Sequence, residues 1–476
     1  MKIEIFKNKK CFIFPYSPMS IIFKDYLQDK GVLVKGFIDN SEINIDKVYS
    51  LTDIVDKEFD YIFIYSPNHK QTIYKQTCNV IDKNKVKVIE LDILKNKYKF
   101  SNSIDYSQNL DKYFHLKSKS YKLKNKILLI GIGFIDLNIK YLYLYLKKYT
   151  NIEVFLATDN KRDIEIFKSH SINIIEYMSK EFIDIVFECS VKIVDHSPVD
   201  KLLIKCINIG YSIQLWHGVT IKMLGKQANY KALKYDVVLS TSNFVSDYSF
   251  SKLYDYKFIV EYGYPRNDIF KDDSIDMINI DLDLLKEIKN SDTRYIVYMP
   301  TYRPLGFESN PIDYKILNEF AKQNNIKFII KMHPFVAEKL RESLDKYQDE
   351  KYQYTHIIIY SANKDIYPIL KYSDMLLTDY SSVYFDYLFV NKPIIFFPYD
   401  YNEWYESANG TMIDYFSYSP GDKYYTLDTL LNGIVKNLGL DKYKEERQNM
   451  IKKIFMNHKK NSSKLISQMI KDNFFH

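Results

Sequence analysis

The sequence of 476 residues is long enough for about three domains of ordinary size, which excludes a binding peptide and a one-domain module. Hydrophobic residues make up 46% and charged residues 27%, the usage of folded globular proteins rather than of disordered or fibrous ones. The 67 basic and 60 acidic residues give a diffuse net charge of +7, which favours a nucleotide, an anionic polymer or anionic lipid over nucleic acid.

The cysteines and the apolar runs indicate the compartment. Cys11, Cys78, Cys189 and Cys206 show no CxxC spacing, which argues against a zinc site or a disulfide framework and favours a reducing cytoplasm. No apolar run reaches the ~20 residues that a membrane span needs, and the start has no signal-peptide pattern. We therefore expect a cytoplasmic protein, with peripheral attachment to the inner face of the cell membrane as a secondary hypothesis.

The first hundred residues predict a small Rossmann-like module, 1–100. Short apolar runs alternate with helical patterns, which is typical of strand-helix-strand units in a parallel sheet. The predicted strands are Cys11–Phe14, Val32–Ile38, Tyr61–Tyr65 and Val86–Leu91, and the predicted helices are Ile21–Asp29 and His69–Ile81. The polar residues 101–126 then predict a linker or loose helical connection.

The next part of the chain predicts a second α/β domain, 127–285. Its predicted strands are Ile127–Ile132, Glu153–Thr158, Asp184–Cys189, Ser212–Trp216, Val237–Ser240 and Phe258–Tyr262.

A third α/β domain, 290–445, and a C-terminal helix, 446–476, complete the predicted organisation. The strands predicted in this domain are Tyr295–Met299, Ile326–Met332, His356–Tyr360, Met375–Thr378 and Ile394–Phe397. The fold class is therefore α/β.

Gly131 and Gly133 follow a predicted strand and suggest dinucleotide binding. Asp136 stands where the third glycine of that fingerprint would be. We therefore favour a tight strand-to-helix turn.

His217 stands at the end of an apolar strand, in the run Gln214-Leu-Trp-His-Gly218. Ligands gather at the carboxyl ends of parallel strands, and an imidazole can remove a proton from a hydroxyl near neutral pH. A structural histidine packed against Trp216 is an equally good interpretation of this motif alone.

Arg266 and Asp268 follow the predicted strand Phe258–Tyr262, in the run Tyr264-Pro-Arg-Asn-Asp268. Arginine offers a planar cation for phosphate or carboxylate. Taken alone, the motif favours a proline-anchored turn in which Arg266 pairs with Asp268.

Cations close two strands of the third domain, in Pro300-Thr-Tyr-Arg303 and in Lys331-Met-His333-Pro. Together Arg303, Lys331 and His333 would lie at one sheet edge, as a diphosphate requires. A further strand turns into a helix through the run Thr378-Asp379-Tyr-Ser381-Ser382. The serines are predicted to cap that helix, whose free N–H groups favour an anion.

Five of these elements occur in an order that resembles the CDP-glycerol glycerophosphotransferase family, which includes polymerases and primases of teichoic acids and related capsules. The elements are Trp216-His-Gly with Thr220 and Lys222, Gly263-x-Pro-Arg-Asn-Asp268, Pro300-Thr-Tyr-Arg303, Lys331-x-His-Pro334, and Thr378-Asp-Tyr-Ser-Ser382 with Phe385-Asp386. They span about residues 210–420.

The resemblance implies a GT-B-like pair of Rossmann-like domains, with the small N-terminal module as an addition, and it implies roles for the residues. His217 is the candidate general base, and Arg266 and Asp268 join it as catalytic candidates that shape the acceptor side. The candidates for binding the CDP moiety and its diphosphate are Arg303, Lys331, His333, Thr378, Asp379, Ser381 and Ser382.

The function implied is transfer of glycerol phosphate or ribitol phosphate from a CDP-polyol to a hydroxyl of a lipid-linked or polymeric acceptor, with release of CMP. We expect no tightly bound cofactor and no dedicated metal. Mg²⁺ is not required by the sequence, although Asp379 is a candidate ligand. Two alternatives are a GT-B glycosyltransferase that uses a nucleotide sugar and a non-catalytic nucleotide-binding scaffold.

Overall fold

A computed structural model of the protein describes residues 3–40, 46–66, 70–92, 97–101, 106–198, 200–223, 233–301, 303, 311–332 and 354–475. The chain divides into two compact units, Met1–Ser120 with Pro198–Lys205, and Tyr121–Ser197 with Cys206–His476.

The first unit is built around one mainly parallel sheet. Its strands are β1 (Lys10–Phe14), β2 (Leu33–Ile38), β3 (Val48–Tyr49), β4 (Tyr61–Ile64), β5 (Val86–Asp92) and β6 (Lys97–Ser101). They lie in the order β3-β2-β1-β4-β5-β6, and only the pairing of β5 with β6 is antiparallel. The helices are α1 (Pro18–Asp29), α2 (Lys70–Val80) and α3 (Tyr106–Lys117). Apolar side chains of β1 alternate between two core clusters, because successive residues of a strand point to opposite faces.

The second unit contains two parallel sheets. The strands of the larger one are β7 (Lys124–Ile130), β8 (Glu153–Thr158), β9 (Ile174–Glu176), β10 (Cys189–Val194), β11 (Tyr211–Gln214), β12 (Lys234–Leu239) and β13 (Asp255–Val260). Their order is β13-β12-β11-β10-β7-β8-β9. The helices in this part of the chain are α4 (Asn138–Tyr149), α5 (Lys161–Ser169), α6 (Lys180–Val186), α7 (Lys201–Ile207), and the short α8 (Asn243–Val245) and α9 (Ser251–Leu253). Residues 201–205 of α7 belong to the first unit.

The other sheet of the second unit has five strands. They are β14 (Arg294–Met299), β15 (Ile326–Ile330), β16 (Ile357–Ile359), β17 (Met375–Thr378) and β18 (Ile394–Phe396), in the order β16-β15-β14-β17-β18. The helices are α10 (Leu282–Asn290), α11 (Tyr314–Gln323), α12 (Tyr367–Tyr372), α13 (Val383–Tyr387), α14 (Tyr401–Ser407), α15 (Leu427–Gly439), α16 (Lys444–Ile454) and α17 (Ser462–Phe474). β17 and β18 are buried along their whole length, as expected of strands covered on both faces.

One predicted strand is wrong. Residues 184–189 were expected to be extended, but the helix α6 continues to Val186 and the strand β10 begins at Cys189. Ser179 caps α6 by accepting the N–H of Phe182 at 3.0 Å, and Phe182, Ile183 and Val186 then share one buried helical face. The other predicted strands are present and differ at most by a few residues at their ends.

The structure defines two predicted connections more finely. Within the predicted linker or loose helical connection 101–126, residues 106–117 form the helix α3, and β7 begins at Lys124. The predicted C-terminal helix is divided into α16 and α17, because Asn461 caps a new helix by accepting the N–H of Lys464 at 2.7 Å.

Candidate active site

His217 lies in the loop that follows β11, where the chain turns sharply. Trp216 adopts a left-handed backbone conformation with φ of 54°. Gly218 comes next, and a Cβ atom there would lie only 2.8 Å from the hydroxyl oxygen of Ser382. A glycine is therefore needed for the loop after β11 to approach the loop after β17.

The imidazole of His217 is held in one tautomer. Its Nδ1 lies 2.8 Å from the backbone carbonyl oxygen of Asp195, which only accepts hydrogen bonds. Nδ1 therefore carries the hydrogen, and Nε2 keeps its lone pair. The ring stacks on Trp216 with centroids 4.1 Å apart. Burial lowers the pKa of His217, so the ring is neutral near pH 7 and can act as a base.

Arg266 joins the His217 loop to the five-stranded sheet. Nη1 donates to the carbonyl oxygen of His217 at 2.7 Å, while Nη2 and Nε donate to Asp386 at 2.7 and 3.4 Å. Arg266 is 4% exposed and Asp386 is 1% exposed. The expected pairing of Arg266 with Asp268 is therefore wrong, because Asp386 takes the guanidinium. These contacts hold the His217 loop and pair the Arg266 cation with a carboxylate.

Asp268 lies against the start of the C-terminal helix α17. Its carboxylate accepts the N–H groups of Ser462 and Ser463 at 2.8 and 2.9 Å and the hydroxyl of Ser463 at 2.7 Å. Lys271 Nζ is 2.9 Å from the same group. The hydrogen bonds of Asp268 within the described residues thus anchor a helix, and its catalytic role stays a prediction.

Arg303 is held by two carboxylates of the five-stranded sheet. Nη1 donates to Asp379 at 2.6 Å and to the carbonyl of Thr301 at 2.5 Å, and Nε and Nη2 each donate to Asp400 at 2.8 Å. Burial would lower the pKa of this guanidinium, but the hydrogen bond to Asp400 and the charge of Asp379 raise it. A guanidinium has five N–H donors, and one on Nη2 has no partner among the described residues.

Asp379 closes the loop after β14. It accepts the N–H of Thr301 at 2.9 Å and its hydroxyl at 2.6 Å, in addition to Arg303. Thr378 is fully buried in β17, and its hydroxyl donates to the carbonyl of Met299 at 2.7 Å. Both residues therefore connect β17 to β14.

Ser381 and Ser382 precede α13 and are half-buried. The prediction that they cap the helix is wrong, because the N-cap residue Ser382 makes no side-chain bond to the helix. Within the described part of the chain, neither hydroxyl has a hydrogen-bond partner, so both can donate to a ligand.

Lys331 follows β15 and contacts the loop after β7. Its Nζ is 3.0 Å from Asp136 and donates to the carbonyl of Lys364 at 2.8 Å. Burial would raise the pKa of Asp136, but Lys331 and more distant cations outweigh it and lower that pKa. His333, the other predicted residue of this motif, lies outside the described residues.

The turn that leads to Asp136 is held by the protein itself. Asp163 of α5 accepts the N–H of Phe134 at 2.6 Å, and a Cβ atom on Gly133 would lie 3.1 Å from that carboxylate. This supports the strand-to-helix turn that the sequence favoured.

The segment after His217 also pairs with the loop after α14. Met223 donates its N–H to the carbonyl of Gly410 at 3.0 Å, and Met412 donates to Ile221 at 2.7 Å. Loops at the carboxyl ends of the two sheets are thus joined by backbone as well as by side chains.

The sequence did not assign several carboxylates that matter here. Asp136, Asp386 and Asp400 stood within or beside the motifs, but no spacing rule pairs them with Lys331, Arg266 and Arg303. Asp195 had one signal, its place directly after a buried apolar strand.

The described residues contain no group of three or more His, Cys, Asp or Glu side chains arranged to hold a metal ion. In the same residues, we find no helix with the length and apolar character required to span a membrane.

Comparison with known proteins gives concordant matches. A teichoic acid poly(ribitol-phosphate) polymerase of Bacillus spizizenii is 26% identical over 82% of this chain and 62% of its own length. A teichoic acid poly(glycerol phosphate) polymerase of the same organism is 27% identical over 58% of this chain and 73% of its own length. The chain thus spans less than two thirds of the first of these relatives.

The fold is shared with a solved structure. The wall teichoic acid polymerase TagF, soaked with CDPG, aligns with a TM-score of 0.61 and 23% identity over 77% of this chain and 94% of that chain. The architecture of both is α/β with parallel sheets.

The family model described as CDP-Glycerol:Poly(glycerophosphate) glycerophosphotransferase matches residues 112–472. This confirms the resemblance drawn from the five motifs. Because the match covers most of the sequence, the chain belongs to the CDP-glycerol:poly(glycerophosphate) glycerophosphotransferase family.

Proposed function

We propose that the protein transfers glycerol phosphate or ribitol phosphate from a CDP-polyol to a hydroxyl of a growing teichoic-acid-like or capsular polymer. The observation that carries this proposal is the His217 ring, whose Nδ1 is fixed on the Asp195 carbonyl while Nε2 keeps a lone pair. The family membership supplies the donor class.

The reaction is a displacement at phosphorus. Nε2 of His217 takes the proton of the acceptor hydroxyl, and the oxygen forms a bond to the β-phosphorus. The bond from that phosphorus to the bridging oxygen breaks, and CMP leaves with the electron pair. A positioned base of this kind contributes roughly 10²- to 10⁴-fold in rate.

The donor diphosphate is assigned to the five-stranded sheet. Ser381 and Ser382 offer hydroxyls that can donate to phosphate oxygens, and Lys331 offers a cation after it exchanges its contact with Asp136. Arg303 acts mainly through Asp379 and Asp400, which it orients, and keeps one N–H for a phosphate oxygen. We assign no described residue to Mg²⁺.

The two sheets of the second unit form the GT-B-like pair in this proposal, with the acceptor on the His217 side. The six-stranded sheet is the additional N-terminal module. The ion pairs between the two sheets support the pairing. Peripheral attachment to the inner face of the cell membrane is proposed for a lipid-linked acceptor, and co-sedimentation with anionic vesicles at low salt tests it.

The experiment is a donor panel with the purified full chain. CDP-glycerol, CDP-ribitol and nucleotide sugars are each supplied with a polyol-phosphate acceptor, and nucleotide release and product mass are measured. We expect CMP and a mass gain of one polyol phosphate from a CDP-polyol only, and a fall of about 10²- to 10⁴-fold in the rate of both in His217→Ala.

His458→Ala is the matched control for this panel, because His458 also directs Nδ1 to a backbone carbonyl, that of Phe455 at 3.0 Å. Its activity should match wild type. Turnover of a nucleotide sugar would favour the glycosyltransferase alternative, and full activity of His217→Ala would reject the proposed base.

A further inference from the structure

The carboxylate of Asp195 is buried without adequate compensation. Asp195 directly follows β10 and is 0% exposed. Oδ1 lies 3.5 Å from Nδ1 of His196, at the outer limit of a hydrogen bond. Oδ2 has no hydrogen-bond partner in the described part of the chain. Burial of an ionised group without partners is unfavourable, so its presence at this position needs an explanation.

The sheet brings this carboxylate to His217. β10 and β11 are parallel neighbours with Val194 opposite Gln214, so the residues that follow them share one edge. The carbonyl of Asp195 itself accepts the Nδ1 hydrogen of His217 at 2.8 Å. One residue therefore supplies both the hydrogen-bond acceptor that fixes the ring and a negative charge beside it.

Charged groups on other parts of the chain also act on the ring. Burial, the Arg266 cation and His196 lower the pKa of His217, and Asp195 raises it. The guanidinium of Arg266 is already paired with Asp386. Among the described residues, the Asp195 carboxylate is thus the negative charge that acts most strongly on the pKa of this imidazole.

We propose that Asp195 is a positioning residue for the general base: its carbonyl fixes the tautomer of His217, and its carboxylate stabilises the imidazolium that forms when Nε2 takes the acceptor proton. This rests on the proposed function of His217. It assigns a role to a side chain that lies outside the five sequence motifs.

The first test compares Asp195→Asn with wild type in the transfer assay. Asparagine keeps the shape and the backbone carbonyl but removes the charge. We expect kcat to fall at least about tenfold, but by less than the about 10⁴-fold typical of a Ser-His-Asp triad that loses its carboxylate, because the Asp195 carbonyl still fixes the tautomer. The KM for the CDP-polyol should stay within about twofold, and the acid limb of the pH profile should move to lower pH because the imidazolium is less stable.

A double-mutant cycle separates this role from a structural one. In a His217→Ala background, Asp195→Asn should cause no further loss, because its effect passes through the imidazole. An additive loss would overturn the inference. His196→Gln removes the other contact of the carboxylate and should leave kcat within about twofold of wild type. An equal loss in His196→Gln would mean that Asp195 acts through His196 instead.

The pKa and tautomer of His217 can be measured by NMR without any turnover. This measurement separates failure of the inference from misfolding of the variant and from failure of the proposed function. In ¹⁵N-histidine spectra, His217 should be an Nδ1–H tautomer, and Asp195→Asn should lower its pKa while His458 is unchanged. If Asp195→Asn does not fold, Asp195→Glu, which keeps the charge, should retain the wild-type pKa of His217.

An unchanged His217 pKa in Asp195→Asn, or a lowered one in Asp195→Glu, would refute the role of Asp195. Full activity of His217→Ala would instead refute the proposed base.

Discussion

Arg303 uses most of its hydrogen-bond donors on protein groups, whereas Nε2 of His217 keeps its lone pair for a proton. The motif around Arg303 predicted a phosphate ligand, yet its guanidinium forms a two-pronged contact with Asp400 and a further one with Asp379. A sequence motif identifies the residue type at a strand end, but it contains no information on the partner. Asp400 is 97 residues away from Arg303.

The lowered pKa of His217 leads to a prediction for the pH dependence of the reaction. Burial lowers the pKa of His217 from its ordinary value of 6.5, and only the neutral ring can accept a proton. We expect kcat/KM to rise with pH, with an inflection below pH 6.5, and to be flat above it through neutral pH. An inflection above pH 7 would contradict a buried neutral base. The measurement is a kcat/KM profile from about pH 4.5 to 8.5.

At the scale of the elements, Asp268 anchors helix α17 by accepting hydrogen bonds from the first residues of the helix. Asp268→Ala removes the acceptor of two N–H groups and a hydroxyl and leaves Lys271 without its carboxylate. We expect it to destabilise the fold by about 2–3 kcal/mol, measured by urea unfolding. Asp313→Ala, which uncaps the exposed start of α11, is the control and should lose about 1 kcal/mol.

A second variant of Asp268 distinguishes a structural role in anchoring α17 from a catalytic role. Asp268→Asn should keep most of kcat once the protein is folded. A large loss of kcat with an unchanged unfolding midpoint would contradict the anchor and support the catalytic role that the resemblance implied.

A carboxylate in the loop after β7 competes with the donor diphosphate for the Lys331 cation. Asp136 is 3.0 Å from Lys331, the cation assigned to the diphosphate. Asp136→Asn should free that cation and lower the KM for the CDP-polyol about two- to fivefold, the effect of one partly exposed ion pair. Initial rates against donor concentration measure it, with the exposed Asp159→Asn as control. A raised KM would show that Asp136 orients Lys331 for the donor instead.

The local sequence pattern is sufficient to predict some elements and insufficient for others. Strand ends at Thr158 and Thr378 were predicted to the residue, because apolar runs end there in polar ones. The helix α6 was not predicted, because a short run of apolar residues is equally compatible with a strand and with a buried helical face. The cap provided by Ser179 decides between them.

At the scale of the second unit, ion pairs join the two parallel sheets. Arg266 pairs with Asp386, Lys331 with Asp136, and Lys140 with Asp365. The Lys140 pair is almost fully buried, and Tyr141 donates to the same carboxylate at 2.7 Å. The sequence predicted two sheets with ligands at their carboxyl edges, but it could not predict pairs separated by 120 residues or more.

Removal of one partner tests how strongly these pairs hold the unit together. Asp386→Asn keeps the side-chain shape but leaves the buried Arg266 cation uncompensated, so we expect a loss of about 3–5 kcal/mol in unfolding free energy. Asp276→Asn breaks a pair of exposed groups with Lys148 and should lose less than about 1 kcal/mol. Equal effects in thermal or urea unfolding would contradict a buried link.

The transfer of a polyol phosphate is tested most directly by following the β-phosphorus of the donor. CDP-glycerol and CDP-ribitol labelled with ³²P at that position are incubated with the full chain and a polyol-phosphate acceptor. We predict that the label enters the polymer and that the released nucleotide is unlabelled CMP. Label recovered in CDP, with an unlabelled product, would mean that the bond to the polyol carbon is broken and would contradict displacement at phosphorus.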